Sequence, residues 1–302
     1  MIEFKGVVKK YGGFAALRGL DMHIPRGVTA GLVGPNGSGK TTTIKLAVGL
    51  LKKSGGEVRV LGLDPWYDGV ELRRRVGVLH EKPLYPQDVT VRRLLEHLAG
   101  LRGLPAQEAV RVARLAGIEG YMERSVSSLS RGYLQRLGIA IALMGEPELL
   151  LLDEPTANLD PSARFEILGM LENLKKDLGV TMVISSHVLP ELEKVCDYAV
   201  VLSGGVAVAQ GSLLELARRF MATLELRIET RSPRLAASRL ILSEAFLSVE
   251  VSDGLVVARV PGEKLREAEA VVEDLRRSGL AESWSVTSRS LGEVYEAVSR
   301  AG

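Results

Sequence analysis

A nine-residue run rich in glycine, residues 34–42, carries the most specific chemistry of this sequence. It reads Gly-Pro-Asn-Gly-Ser-Gly-Lys-Thr-Thr, follows the apolar segment 28–33 and precedes the apolar-periodic segment 44–51. A glycine loop between a strand and a helix can curl its backbone N–H groups around a phosphate. The positive end of the helix dipole strengthens the same anion site. The run therefore predicts a phosphate-binding loop.

Two residues of this run have roles of their own. Lys40 can reach the β- and γ-phosphates of a nucleotide, and the hydroxyl of Thr41 can ligate Mg²⁺. A glycine-rich turn with a chance lysine is the alternative for this run taken alone. The predicted phosphate-binding residues are Gly34, Pro35, Asn36, Gly37, Ser38, Gly39, Lys40, Thr41 and Thr42.

A second candidate element is the run Leu-Leu-Leu-Leu-Asp-Glu-Pro at residues 149–155. A continuous apolar run is typical of a strand buried on both faces of a parallel sheet. Asp153 leaves this strand first and can hold the Mg²⁺ that bridges the β- and γ-phosphates. Glu154 follows and can orient and deprotonate the attacking water. A solvated Asp-Glu turn would not explain the apolar strand that leads to it.

Length and composition indicate a globular protein of roughly two domains. The 302 residues include 39 Lys and Arg against 37 Asp and Glu, a formal net charge of +2. No global field therefore favours nucleic acid or an anionic membrane as a partner. Cys196 is the only cysteine, which excludes an intrachain disulfide and favours a cytoplasmic location. No stretch approaches the ~18 apolar residues of a membrane span, so any membrane part would belong to another chain.

The elements that position these residues predict an α/β domain over residues 1–220. Asp160 is the expected N-cap, and Pro161 the first residue, of a helix that runs to about 178. A helical insert is expected at about 88–145, with helix over 91–115 and breaks at its glycines and Pro105. The predicted strands are 2–10 and 22–24, an antiparallel piece before the glycine loop, then 28–33, 57–61, 75–79, 149–152 and 180–185, and a hairpin over 198–202 and 206–210.

Residues 221–302 predict a small α+β domain of ferredoxin-like β-α-β-β-α-β order. Asp253-Gly254 is the turn signal between its middle strands. Ser290 and Glu293 form a capping box for a last helix. The expected strands are 223–229, 247–251, 255–260 and 283–287, and the expected helices are 233–245 and 264–278.

Between the two phosphate elements lies Leu-Ser-Arg-Gly-Tyr-Leu-Gln-Arg, residues 129–136. With this run the chain resembles the ABC-type ATPases, whose signature reads Leu-Ser-Gly-Gly-Gln. The resemblance covers residues 1 to about 220 and rests on the order of the motifs. It implies a P-loop NTPase fold of ABC type that binds ATP and Mg²⁺ and hydrolyses ATP.

The resemblance also assigns residues outside the two phosphate elements. Tyr11 would stack on adenine, and His187 would join Lys40 and Glu154 in the catalytic set by contacting the γ-phosphate. Asp160, in the Ala-Asn-Leu-Asp loop at residues 157–160, would communicate across a dimer.

Ser130 and Gly132 would touch the γ-phosphate of the ATP that a second subunit holds. Ser130 is a predicted N-cap, and the helix that follows would point its positive end at that anion. The chain carries one set of motifs, so a head-to-tail dimer with itself or with a similar chain would close each site.

Three positions depart from the family pattern. Arg131 stands where the signature has its first glycine, and Tyr133 stands where it has glutamine. Glu81 stands where a glutamine is expected after residues 76–80, and its carboxylate could still contact Mg²⁺ or a water bound to it. Each of the three could instead be a surface side chain.

The carboxy-terminal residues narrow the resemblance. The run Ser-Leu-Gly-Glu-Val-Tyr at 290–295 resembles the ending of ATPase subunits of ABC-2-type exporters for drugs, sodium and polysaccharides. Residues 186–191 and 145–147 also resemble ATPases of nitrous oxide reductase maturation. The second domain could instead be a packing or dimerisation module that binds no ligand.

Two functions follow from the resemblance. One is the ATPase subunit of an exporter, a homodimer at the inner face of the cell membrane that drives a separate permease and binds no nucleic acid. In that case Leu84, Tyr85 and Pro86, in the loop 80–88, would contact the permease, unless they are core residues under the insert.

The other function is that of a soluble ABC ATPase acting on nucleic acid or ribosomes. Its relatives carry paired ATPase domains, coiled-coil insertions or zinc modules, which this sequence lacks.

Overall fold

The computed structural model describes residues 1–186, 188–220, 223–287, 292, 295 and 296. The chain divides into two compact units, Met1–Gln210 and Gly211–Gly302. The sequence predicts a division near residue 220, so the boundary between the units lies upstream of the expected position. Within the described ranges, none of the helices combines the length and the apolar character needed to cross a membrane.

The first unit is organised around two β-sheets and the helices that pack on them. The strands are β1 (Ile2–Tyr11), β2 (Phe14–Ile24), β3 (Thr29–Val33), β4 (Gly55–Val60), β5 (Val76–Leu79), β6 (Leu149–Asp153), β7 (Thr181–Ser186), β8 (Tyr198–Ser203) and β9 (Val206–Ser212). The helices are α1 (Lys40–Ala47), α2 (Gly69–Arg75), α3 (Val91–Leu101), α4 (Gln107–Leu115), α5 (Arg131–Ala142), α6 (Pro161–Leu178) and α7 (Leu189–Val195).

The larger sheet has the strand order β5-β6-β7-β3-β8-β9. The four pairings from β5 to β8 are parallel. Strands β3 and β6 are buried at every residue, as their continuous apolar sequences predict. Because parallel strands end at the same edge of a sheet, the segments that follow β3, β6 and β7 meet there.

The smaller sheet is antiparallel, with the order β2-β1-β4. The sequence predicts only the end of β2, residues 22–24, whereas the strand begins at Phe14. Register shifts interrupt the pairing of β1 with β2 at several points. Each shift breaks the alternation of buried and exposed residues, and that alternation is the signal by which a strand is predicted.

Helix α6 begins and ends where the sequence predicts. The Asp160 side chain accepts a hydrogen bond from the backbone N–H of Ala163 at 3.0 Å, and Pro161 is the first helical residue. Gly179 closes the helix in the left-handed conformation, with φ 58°. The helical stretch expected over 91–115 is divided into α3 and α4, and the gap between them contains Gly103 and Pro105, two of the predicted breaks. Helix α2 was not predicted.

The second unit contains α8 (Leu213–Phe220), β10 (Thr223–Glu229), α9 (Pro233–Ile241), β11 (Ser248–Ser252), β12 (Leu255–Pro261), α10 (Leu265–Arg277) and β13 (Ser283–Thr287). Its sheet has the order β11-β12-β10-β13, and all three pairings are antiparallel. From β10 to β13 the elements follow the predicted β-α-β-β-α-β order. Helix α9 ends at Ile241 rather than at 245, and α8 was not predicted.

Some predicted features lie outside the described residues. These are His187 and the capping box formed by Ser290 and Glu293. For these residues the expectations from the sequence stand as they were.

Gly77 allows β5 to lie directly against α5. A Cβ atom at Gly77 would overlap the carbonyl oxygen of Ala142, which belongs to the last turn of α5. We expect Gly77→Ala to destabilise the fold by about 1–3 kcal/mol, because the strand or the helix must move. Gly100→Ala is the matched control, since a Cβ there meets no atom within 4 Å, and it should stabilise helix α3 by about 0.5–1 kcal/mol. Calorimetric melting of both variants tests this, and equal melting temperatures would contradict it.

Candidate nucleotide-binding site

The glycine loop connects the end of β3 to helix α1, in the predicted context. Gly37 and Gly39 have φ angles of 81° and 107°, a region that disfavours any other residue. Gly39 is also the N-cap of α1, and a Cβ on it would lie 2.6 Å from Cδ2 of Leu17. Glycine is therefore required at this position both by the backbone angle and by the close approach of β2.

Lys40 is buried at the start of α1 and turns back over the loop. Its Nζ donates hydrogen bonds to the carbonyl oxygens of Gly34, at 2.7 Å, and Pro35, at 3.3 Å. Burial lowers the pKa of Lys40, while the neighbouring carboxylates, Glu154 foremost, act in the opposite direction. The ammonium group is thus held beside the loop by carbonyl dipoles and carboxylate charge.

Asp153 ends β6 and is 1% exposed. Its Oδ1 accepts hydrogen bonds from the hydroxyl of Ser185 at 2.6 Å and from the hydroxyl of Thr41 at 3.3 Å. These residues come from three different segments, β6, β7 and α1. The carboxylate therefore ties the phosphate loop to the two strands that lie side by side in the sheet.

Glu154 follows Asp153 at the sheet edge and is also buried. Its backbone N–H donates to the hydroxyl of Ser185 at 2.9 Å and to the carbonyl oxygen of Ser185 at 3.2 Å. Its φ of 51° is rare for a residue other than glycine. Strain of this kind is often found where a side chain must be aimed at a functional site.

A cleft of about 750 Å³ lies over these residues. Tyr11 and Phe14 stand opposite each other across the β1–β2 turn, and both rings line the cleft. Only the first of these rings was predicted. The lining residues are Tyr11, Phe14, Ala16, Asn36, Gly37, Gly39, Lys40, Thr41, Thr42, Glu81, Glu154, Thr156, Ala157, Asn158, Arg164, Val188 and Glu191.

Ser130, Gly132 and Asp160 lie together in a different cavity, of about 240 Å³. The Ser130 hydroxyl accepts a hydrogen bond from the backbone N–H of Tyr133 at 3.4 Å, so it is the predicted N-cap of α5. A Cβ on Gly132 would lie 3.2 Å from Cβ of Ala163, so α5 and α6 approach closely there. Within one chain, this group of residues lines none of the cleft around the glycine loop.

The three departures from the family pattern occupy different surroundings. Glu81 lines the cleft beside the phosphate loop. Arg131 is exposed at the first turn of α5. Tyr133 packs on Tyr121, with ring centroids 3.8 Å apart, so it is not a simple surface side chain. Arg136 lies over the Tyr133 ring at 6.0 Å and binds Glu166 of α6 at 2.9 Å.

The cleft wall contains a polar cluster that was not predicted from the sequence. Glu191 of α7 is 6% exposed, accepts a hydrogen bond from the Thr156 hydroxyl at 2.5 Å and pairs with Arg164 of α6 at 3.0 Å. The cluster joins the segment after Glu154 to two helices. No spacing in the sequence indicates it, because its members meet only in three dimensions.

Comparison with known proteins agrees with this architecture. A family model described as ABC transporter matches residues 17–157. The daunorubicin/doxorubicin resistance ATP-binding protein DrrA of Streptomyces peucetius is 31% identical over 303 residues, which cover 98% of this chain and 92% of that protein. The bacitracin transport ATP-binding protein BcrA of Enterococcus faecalis is 35% identical over 257 residues, which cover 85% of this chain and 83% of that protein.

Solved structures show the same fold. The ATP binding subunit of an ABC transporter matches with a TM-score of 0.65 and 30% identity over 73% of this chain and 93% of that one. A dimeric ATP-binding cassette in a post-hydrolysis state, bound to ADP and Pi, matches with a TM-score of 0.62 and 25% identity. The match covers 70% of this chain and 99% of that one. The fold and the cleft define an ATP-binding cassette of the P-loop class. The chain belongs to the family of ABC transporter ATP-binding proteins and is an ATP-hydrolysing subunit of that class.

The ion pair in the cleft wall yields a stability prediction. Arg164→Met leaves the Glu191 carboxylate buried without its cation, which should destabilise the first unit by about 1–3 kcal/mol. Lys176→Met is the matched control on the same helix, because its pair with Glu172 is exposed, and solvent-exposed ion pairs contribute little to stability. Urea unfolding of both variants measures the difference. Equal unfolding midpoints would show that the buried pair has no special effect.

Proposed function

We propose that the chain hydrolyses Mg²⁺-bound ATP in a site shared by two copies and so drives export through a separate membrane permease. The observation that carries this proposal is the convergence of Lys40, Asp153 and Glu154 at one sheet edge beside a phosphate loop. A loop cation, a metal-binding carboxylate and a second carboxylate are the groups that phosphoryl transfer to water requires. The backbone N–H groups of residues 34–42 would hold the β- and γ-phosphates, and Tyr11 and Phe14 would flank the base.

The residues at the loop suit Mg²⁺. The hydroxyl of Thr41 and the Oδ1 of Asp153 are 3.3 Å apart, and hard oxygen atoms of these two types are preferred magnesium ligands. Glu81 lines the same cleft and adds a third oxygen donor. When bound, the ion neutralises charge on the phosphate oxygens. Thr41, Asp153 and Glu81 would hold it directly or through water.

Glu154 would act as the general base. Its backbone N–H is fixed by the two oxygen atoms of Ser185, so the carboxylate follows a rigid strand end rather than a loose turn. It would orient a water molecule for attack on the γ-phosphorus and accept its proton. His187 would contact the γ-phosphate from the segment after β7, as the resemblance to the family implies.

Ser130, Gly132 and Asp160 would act on the ATP of the other copy. Their cavity is separate from the cleft in one chain, so a second chain is needed to bring a signature to each loop. Helix α5 is twelve residues long, and the positive end of its dipole, at Ser130, would face the phosphates of that ATP. Because this chain holds one complete set of motifs, two identical copies in a head-to-tail arrangement suffice.

The permease would be a separate integral membrane protein, with this subunit bound at the inner face of the cell membrane. The relative DrrA is named for daunorubicin/doxorubicin resistance, and the relative BcrA is named for bacitracin transport. An amphiphilic antibiotic or a similar molecule is therefore the cargo class we propose. The resemblance to nitrous oxide reductase maturation ATPases stays a prediction without further support.

The loop 80–88 would transmit ATP binding to the permease, but its apolar residues are not equivalent. Leu84 is 96% exposed. Tyr85 is half-buried against α5, where a Cβ on Gly138 would lie 2.6 Å from its hydroxyl oxygen, and this burial raises the pKa of Tyr85. The permease contact therefore falls on Leu84, while Tyr85 links the loop to α5.

Glu154→Gln tests the general base. The amide keeps the shape of the side chain but cannot accept a proton, so hydrolysis should slow by about 10²–10⁴-fold while ATP still binds. ATP-dependent dimers should then accumulate on gel filtration. A phosphate-release rate close to that of the unchanged protein would rule out this role for Glu154.

Lys40→Ala is the contrasting variant. It removes the fixed charge at the β- and γ-phosphates, so ATP affinity itself should fall, and no ATP-dependent dimer should form. Equilibrium dialysis with labelled ATP measures this directly. Unchanged affinity would contradict the proposed role of the lysine.

Leu84→Ala tests the permease contact. Because the side chain is solvent-exposed, the melting temperature and ATP affinity of the isolated subunit should stay unchanged, while co-purification with the permease weakens. Tyr85→Ala is the comparison, since it removes a half-buried ring and should lower the melting temperature. If Leu84→Ala leaves the complex intact, the contact lies elsewhere.

A further inference from the structure

Strand β11 is an edge of the sheet in the second unit. It pairs with β12 and, among the residues that the structure describes, with no other strand. An edge strand presents a row of unpaired backbone N–H and C=O groups to any strand that approaches. Its sequence, Ser-Val-Glu-Val-Ser, contains neither the Lys nor the Pro with which proteins commonly block such edges.

One face of this edge is apolar. Val249 and Val251 lie opposite Ala258 and Val256 of β12, which are fully buried. Leu247 directly precedes the strand and shares this face by the alternation of side chains. Leu247 is nevertheless 63% exposed and Val251 is 48% exposed. The apolar face of the sheet therefore continues to the open edge.

We propose that β11 pairs antiparallel with β11 of a second copy of this chain, with the two-fold axis at Val249. In this register Val249 meets its own counterpart, and Val251 meets Leu247 of the other copy. Every apolar side chain of the edge then has an apolar partner on the same face. On the opposite face, Glu250 meets Ser248. The two sheets become one continuous sheet of twice the number of strands.

The neighbouring register illustrates why the axis falls at Val249. An axis at Glu250 would place the two Glu250 carboxylates directly opposite each other, and like charges in such a pair are destabilising. Shifting the two-fold axis by one residue also places it at a residue whose side chain lies on the polar face of the strand. The charge and the apolar residues therefore favour the same register.

The exposed end of helix α9 enlarges the same surface. Helix α9 packs against β11, and Ile241 and Leu242 at its end are 65% and 82% exposed. Exposed large apolar residues clustered beside an open strand edge are typical of an interaction site. A second copy brings the same residues from the other side of the axis, so the surface is self-complementary.

The size of this contact determines when it forms. A stable interface uses about 20–30 residues from each side, far more than one short strand supplies. Two free chains would therefore pair weakly through β11. A dimer held by ATP raises the local concentration of the second edge, and the edges then pair without a large interface of their own. This step rests on the proposed function, because it requires that the two ATPase domains belong to identical chains.

Disulfide trapping in the full chain tests the register. The buried Cys196 is replaced by Ala, Glu154→Gln holds the ATP-bound dimer, and Val249→Cys is oxidised with copper phenanthroline. Directly opposite residues of an antiparallel pair have Cα atoms ~4.5–5.5 Å apart, within the range of a disulfide. We expect a covalent dimer with ATP and much less without it. Adding Val251→Lys should lower the yield about tenfold or more, because a charge replaces a buried apolar contact.

Glu250→Cys is the matched control on the same strand. In the proposed register its two copies are diagonal neighbours, beyond the ~7 Å limit for a disulfide between Cα atoms. More cross-linking from Glu250→Cys than from Val249→Cys would overturn the register. If gel filtration shows the ATP-dependent dimer but Val249→Cys does not cross-link, the edge pairing is wrong and the proposed function stands. If the ATP-dependent dimer is missing, the proposed function fails, and a missing cross-link then overturns the edge pairing as well.

Discussion

The buried carboxylate of Asp153 is the interaction on which the site depends. It ends the apolar strand β6 and is fixed by the hydroxyls of Ser185 and Thr41 at 2.6 and 3.3 Å. Burying an anion that accepts hydrogen bonds only from neutral donors destabilises the fold, unless a nearby cation compensates its charge. The ammonium group of Lys40 lies nearby, and we propose that Mg²⁺ completes the compensation when ATP binds. The apolar sheet thus ends in a buried charged group. Binding of ATP with Mg²⁺ would offset the free-energy cost of burying that charge.

The order of the strands determines what surrounds this carboxylate. Strand β7 lies between β6 and β3, so Ser185 can bind Asp153 while the loop after β3 supplies Lys40. The pair of Glu191 with Arg164 then connects α7 with α6 in the wall of the same cleft. Helix α6 begins at Asp160, which lies in the cavity of the signature residues. A continuous set of contacts therefore joins the phosphate loop to the surface that we propose meets the second copy.

The sequence predicted those elements whose signals are local. The backbone angles of the glycine loop require glycine at particular positions. Helix α6 begins at the Asp160 cap and Pro161, and it ends before a glycine. Strand β2 was mostly missed because irregular pairing hides its alternation, and α2 was missed because seven residues carry little periodicity. The cluster at Glu191 and the stacking of Tyr133 on Tyr121 could not be predicted, since each depends on residues that only the folded chain brings together.

We propose that each ATP site needs the loop of one copy and the signature of another. The most direct measurement mixes two inactive variants, Lys40→Ala with a defective loop and Ser130→Arg with a defective signature. A mixed dimer contains one site in which the loop and the signature are both unchanged. We expect the mixture to hydrolyse ATP at a rate that neither variant shows alone. If the mixture stays as inactive as its components although mixed dimers form, the site is not shared between copies.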